Sequence, residues 1–125
     1  MIYLKHKETS GCLSTSEYDL FDNNTPVGKI QIRHKPSCSV GIPENMASHM
    51  YYEILPQYRL KGYGKKILSL GIEEAKKIGL REVLITCMED NVGSKKIIEA
   101  NGGVFVRDFV IPEQGKMLKY QIVLT

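Results

Sequence analysis

In this chain of 125 residues, the stretch Arg59-Leu60-Lys61-Gly62-Tyr63-Gly64-Lys65-Lys66 has the composition to hold a polyphosphate. It follows an alternating run that ends in proline, His49 to Pro56, and it opens an amphipathic segment, Ile67 to Gly79. A strand that turns through glycines into a helix start leaves backbone N–H groups pointing outward, where the helix dipole favours negative charge. Gly62 and Gly64 let the backbone approach a ligand closely or take positive φ. Lys65 and Lys66 fall in the first helical turn, where cations are disfavoured unless an anion sits there. Two familiar phosphate motifs do not fit. A P-loop needs glycine where Arg59 stands, and the dinucleotide fingerprint needs one where Ile67 stands.

The elements that must position this loop can be traced from periodicity. Residues 2–5, 17–21 and Val27 to Arg33 have strand character, the last two joined through the turn-forming Asn23-Asn24-Thr25-Pro26. Residues 34–46 carry Pro36, Gly41 and Pro43 without a period and are expected to be loop, and 49–55 is the strand leading into the anion loop. Ile67, Leu68, Gly71, Ile72 and Ala75 share one helical face, with Glu73–Lys77 as an expected i,i+4 pair and Gly79 as the stop. Arg81 to Cys87 is a continuous apolar run, expected to be a strand buried on both faces. Asp90 or Asn91 caps a second helix that ends at Asn101-Gly102-Gly103. Val104 to Val110 and Met117 to Leu124 are strands around a Pro112/Gly115 turn. The expected class is α+β: a mixed, mostly antiparallel twisted sheet with two main helices in one domain, residues 1–125.

The pattern Arg59-x-x-Gly62-x-Gly64, the Pro-ended strand before it and Asn91-x-x-Ser94 after it resemble the GNAT superfamily of N-acetyltransferases. The likeness covers roughly residues 27–124. It is nearest to a group of bacterial acetyltransferases that share Gly28 to Arg33, His49 to Tyr52, Thr86-Cys87 and Asn101-Gly102-Gly103. The resemblance implies acetyl-CoA as co-substrate, with its pyrophosphate on Leu60 to Lys65 and Arg59, Lys61 and Lys65 near the 3′-phosphate. It places the pantetheine arm along Ile54 and Leu55 like an added strand, flanked by Asn91 and Ser94. A backbone N–H near Tyr52 to Ile54 would polarise the thioester carbonyl. Asn91 has a second reading as a simple helix cap, compatible with the first. Gly64→Val is expected to block the ligand while leaving the chain folded.

Two departures from the family pattern stand out. Residues 6–16 are too short and too rich in Ser, Thr and Gly for the one or two helices that usually follow the first strand. Either the fold is minimal or a second subunit supplies that wall, and a homodimer is expected. The family's frequent general-acid tyrosine is replaced by Ile98, which leaves Tyr120 or water to protonate the thiolate. For the base that takes the ammonium proton, the candidates are His49 and Glu53, with His49 favoured because it titrates near neutrality. The acceptor is an amine on a small molecule or peptide. The rival reading is a module that binds CoA without turnover.

Composition narrows the rest. Net charge is +3, too mild to argue for nucleic acid, and 42% apolar with 25% charged residues is ordinary for a globular protein. Cys12, Cys38 and Cys87 form no CxxC pair and are read as reduced thiols in a cytoplasmic protein, Cys87 as a core residue. Asp19, Asp22 and Glu44 have no metal-ligand spacing, so no metal is expected. No apolar stretch approaches membrane-span length and no signal peptide is seen.

Overall fold

The computed structural model describes residues 1–10, 15–34 and 48–124. The chain opens with antiparallel strands β1 (Ile2–Ser10), β2 (Thr15–Asp22), β3 (Thr25–Arg33) and β4 (Met50–Ile54), neighbours in that order. β1 and β2 pair from Ile2↔Asp22 to Ser10↔Thr15, so the described part of the 6–16 segment is strand. Inward-facing Ser16, Tyr18 and Leu20 continue one period-two face through it, and Thr and Ser suit a strand once a partner is present. Cys12 lies outside the described residues, as do Cys38, Glu44 and all but the first residue of the expected 34–46 loop. Pro26 lands within β3 opposite Phe21, beside a bulge at Leu20/Phe21, where a missing N–H is tolerated.

A short 3-10 turn, Pro56–Tyr58, leads to α1 (Tyr63–Ile78), β5 (Glu82–Met88), α2 (Val92–Ala100), β6 (Val104–Ile111) and β7 (Gly115–Val123). The last three strands form a second antiparallel sheet in the order β5-β7-β6. α1 lays Ile67, Leu68, Gly71, Ile72 and Ala75 against β3 and β4. It stops at Gly79, whose left-handed backbone returns its N–H to the carbonyls of Ala75 and Lys76. The expected Glu73–Lys77 pair gives way to i,i+3 pairs, Glu73–Lys76 at 3.5 Å and Glu74–Lys77 at 3.1 Å. Either spacing brings the side chains together on a helix surface, and such exposed pairs stabilise little.

β5 corrects a second expectation. Val83, Ile85 and Cys87 are buried, but Glu82, Leu84, Thr86 and Met88 are only half-buried. Its second face is only partly covered, and its C-terminal half, Ile85 to Met88, borders a cleft. One core nonetheless runs through both sheets, with Leu20, Ile30, Ile32, Ile67, Leu68, Val83, Ile85 and Ile98 fully enclosed. Each such side chain stabilises the fold by about 1.5–3 kcal/mol.

Candidate active site

The two sheets meet at one point and then part. The backbone N–H of His49 donates to the Leu84 carbonyl at 2.7 Å, and the Leu84 N–H donates to His49 Nδ1 at 2.9 Å. Beyond that apex no ladder joins β4 to β5. Two adjoining chambers fill the gap, sharing Tyr51, Tyr52, Asn91 and Ser94 as walls. The outer one, about 480 Å³, reaches from β4 to the anion loop at Arg59, Leu60 and Gly64 and to Ile97 on α2. The inner one, about 340 Å³, lies between Arg33, Ser48 and Met50 on one side and Ile85 to Met88 on the other.

The β4 edge that borders this gap is open. Arg33 N–H donates to the His49 carbonyl and Leu55 N–H to the Val27 carbonyl, which fixes the bonded pairs of the β3–β4 ladder at the odd-numbered residues of β4. The alternation of an antiparallel ladder then turns the N–H and C=O of Met50, Tyr52 and Ile54 away from β3. The Ile54 carbonyl is taken by Arg59 Nε at 3.0 Å, so Arg59 folds back to close the strand end.

The anion loop is built by two left-handed residues, Leu60 at φ 62° and the N-cap Gly62 at φ 86°. Leu60 is fully exposed. The first intrahelical bond runs from Lys66 N–H to the Gly62 carbonyl, and no side chain caps this end. The N–H groups of Tyr63, Gly64 and Lys65 therefore have no partner within the helix, and no acidic residue stands in its first turn. Tyr63 donates its hydroxyl to the Asp22 carboxylate, tying the loop to the β2–β3 turn. Gly64 has a different constraint from the one expected. A Cβ there would lie 2.6 Å from Ile97 Cδ1, so its side-chain position faces α2, and the valine substitution would disturb helix packing as well as any ligand.

Asn91 caps α2, its Oδ1 accepting from the Ser94 N–H at 3.1 Å. Tyr52 crosses the gap and donates its hydroxyl to Ser94 Oγ at 3.3 Å. Burial pushes the Tyr52 phenol up, with the Ser94 bond opposing in part, so it is a protonated donor at neutral pH. Sequence reasoning named Tyr52 only for its backbone. The signal was its parity with Met50 and Ile54, but its reach depends on where α2 lies.

The residues proposed for acid and base work are scattered. His49 is buried, its Nδ1 lone pair is occupied by Leu84 N–H, and the neutral ring's proton therefore sits on Nε2. Burial lowers its pKa, an effect that Lys119 adds to and Glu82 opposes. It sits at the apex as a fastening and lines neither chamber. Glu53 does line the outer chamber, half-exposed, with Lys29 Nζ at 3.7 Å. Tyr120, named as a possible acid, lies on β7 within the core, opposite Ile85 and edge-on to Phe105, and lines neither chamber. Ile98 is fully enclosed. Cys87 is a free thiol whose pKa burial raises, an inert state for sulfur. Among the described residues no three metal-ligating side chains cluster.

Sheets that part at one strand pair beside a glycine-capped helix start define the acyl-CoA N-acyltransferase fold. Solved structures agree: the acetyltransferase from Salmonella typhimurium that modifies the N-terminal serine of ribosomal protein L7/L12 superposes with a TM-score of 0.70 at 17% identity over 89% of this chain. The aminoglycoside acetyltransferase AAC(6')-Ib in complex with coenzyme A gives 0.73 at 15% over 87%. The spermidine/spermine N-acetyltransferase SpeG from Vibrio cholerae gives 0.68 at 13% over 87%. The chain spans 64% of the ribosomal-protein enzyme's length and 66% of each of the other two. Residues 2–102 match the Acetyltransferase (GNAT) family, and the chain belongs to it. No curated protein sequence gives a match.

Proposed function

We propose that this protein moves an acetyl group from acetyl-CoA directly to a primary amine. The observation that carries this reading is the cleft between β4 and β5, which opens onto an uncapped, cation-flanked helix start at Gly62. Free N–H groups of Tyr63, Gly64 and Lys65, with Lys61 and Lys65 nearby, suit the pyrophosphate and 3′-phosphate. The slender pantetheine arm would lie along β4, its amides meeting the open edge at Tyr52 and Ile54. Two proteins of this fold have been solved in complex with coenzyme A, which supports CoA as the ligand.

The chemistry needs a neutral amine, a polarised carbonyl and a protonated leaving group. In our reading Glu53, directly or through water, takes one proton from the acceptor ammonium. The amine nitrogen then bonds to the thioester carbon while the Tyr52 N–H steadies the oxyanion. The nitrogen, positively charged once bonded, gives up its second surplus proton to solvent; the C–S bond breaks, and the sulfur keeps the electron pair. Tyr52 Oη, beside Ser94, supplies the proton that makes the free thiol and recovers one from solvent. His49 holds the walls together. Three cysteines without a pairing pattern fit a reducing, cytoplasmic setting, and no helix is long and apolar enough to cross a membrane among the described residues.

Two measurements test this. Acetyl-CoA at ~100 times its Kd should stabilise the fold by about 2.7 kcal/mol, and thiol should be released steadily when an amine panel is added. Stabilisation without release from any amine would favour the rival reading, a CoA-binding module. No stabilisation at millimolar ligand would sink both.

A further inference from the structure

We infer that the acceptor is an amino acid: a small primary amine whose carboxylate is received by Arg33 and whose apolar side chain is received by the inner chamber. The inference rests on the acetyl-transfer reading and adds the class of molecule acetylated. At about 340 Å³ the inner chamber is at the small end of ligand sites. Its apolar lining includes two methionines that are only half-buried, Met88 and Met117, with Ile85 and Met50 enclosed behind them. Methionine is unbranched and polarisable, and it adapts to varied apolar groups.

Among the described residues lining this chamber, Arg33 is the one charged side chain. It ends β3, with its backbone N–H fixed to the His49 carbonyl at 2.6 Å, so the guanidinium is anchored beside the apex. Its Nη1 donates to Ser48 O at 3.3 Å and Ser48 Oγ at 3.4 Å, both beyond the usual range for such bonds. Weak bonds of this kind are readily exchanged for a forked pair with a carboxylate, the geometry arginine favours. A polyamine would meet the same cation with no anion to offset it.

The decisive comparison is between an amino acid and the amine left when its carboxylate is removed. L-Methionine, L-leucine and L-phenylalanine would be titrated by calorimetry into CoA-loaded protein beside 3-(methylthio)propylamine, isoamylamine, phenethylamine and spermidine. A charged hydrogen-bond pair corresponds to roughly 10- to 150-fold in affinity, and that preference for the carboxylate is expected in at least one matched pair. Arg33→Gln should erase the preference and leave CoA binding unchanged, while Arg33→Lys should keep part of it as a point charge. Equal binding of acid and amine, tighter binding of spermidine, no binding of any amino acid, or a preference that survives Arg33→Gln would each overturn the inference. Because the readout is binding, a failure of acetyl transfer would show separately, as absent thiol release.

Discussion

His49 sits where the two sheets join, and a proton on its Nδ1 would break that joint. Burial holds its folded pKa below the ordinary 6.5. The unfolded chain therefore takes up a proton near pH 6.5 that the folded chain refuses until lower pH. Its contribution to stability is complete above that value and is lost as pH falls toward the folded pKa, at about 1.4 kcal/mol for each pH unit that separates the folded and unfolded values. Urea unfolding at pH 8 and pH 5 should show this loss. In His49→Asn, where Oδ1 can take the place of Nδ1, the loss should be smaller, with the acid limb of the transfer rate little altered. An acid limb that disappears in this variant would restore His49 as the base. Tyr52→Phe should lower kcat by about two orders of magnitude, the lower range for general-acid catalysis, with KM for acetyl-CoA little changed; a normal kcat would remove the phenol from the reaction. At this scale the sequence is legible where structure is local. The Asn91 cap and the Gly62 turn are settled by residues within a few positions. The place of His49 is not, because its partner Leu84 is 35 residues away.

Elements explain a different set of successes and misses. α1 is readable because its apolar face repeats at helical spacing and ends in a glycine. β5 is not, because an apolar run looks the same whether its second face is fully or only partly covered. β1 and β2 are hard to see in full since Ser and Thr carry strand structure only when a partner strand is supplied. The contact between α1 and α2 at Gly64 and Ile97 is also invisible in the sequence. It leads to a test on stability instead of binding. Gly64→Ala should cost about 1–3 kcal/mol through overpacking, and adding Ile97→Val, which removes the methyl that Cβ would meet, should recover part of it in urea unfolding. If Gly64→Ala is neutral in stability yet weakens acetyl-CoA binding, the glycine serves the ligand alone.

For the whole molecule, the sequence leads one to expect self-association from a bare N-terminal side. The paired strands β1 and β2 occupy that region, and the more exposed apolar surface among the described residues is on β6, an outer strand of the second sheet. Val104, Phe105, Val106 and Val110 are each about half or more exposed there. A strand edge of this kind favours pairing with a second copy. Sedimentation at tens of micromolar is expected to show a dimer, and Val106→Lys with Val110→Lys should shift it to monomer. A wild-type monomer would end this proposal. β4 has an open edge too, but one of another sort. It lies inside the molecule, pinned at one end by the His49–Leu84 joint and stopped at the other by Arg59 on the Ile54 carbonyl. What is left is a recess a few residues long, too short to template a neighbour's strand and flanked by walls on both sides. Most proteins guard an edge with charge or proline. Here length and confinement do it, so only a narrow, amide-bearing chain can complete the sheet, and one sheet edge can be sticky toward a ligand without being sticky toward protein.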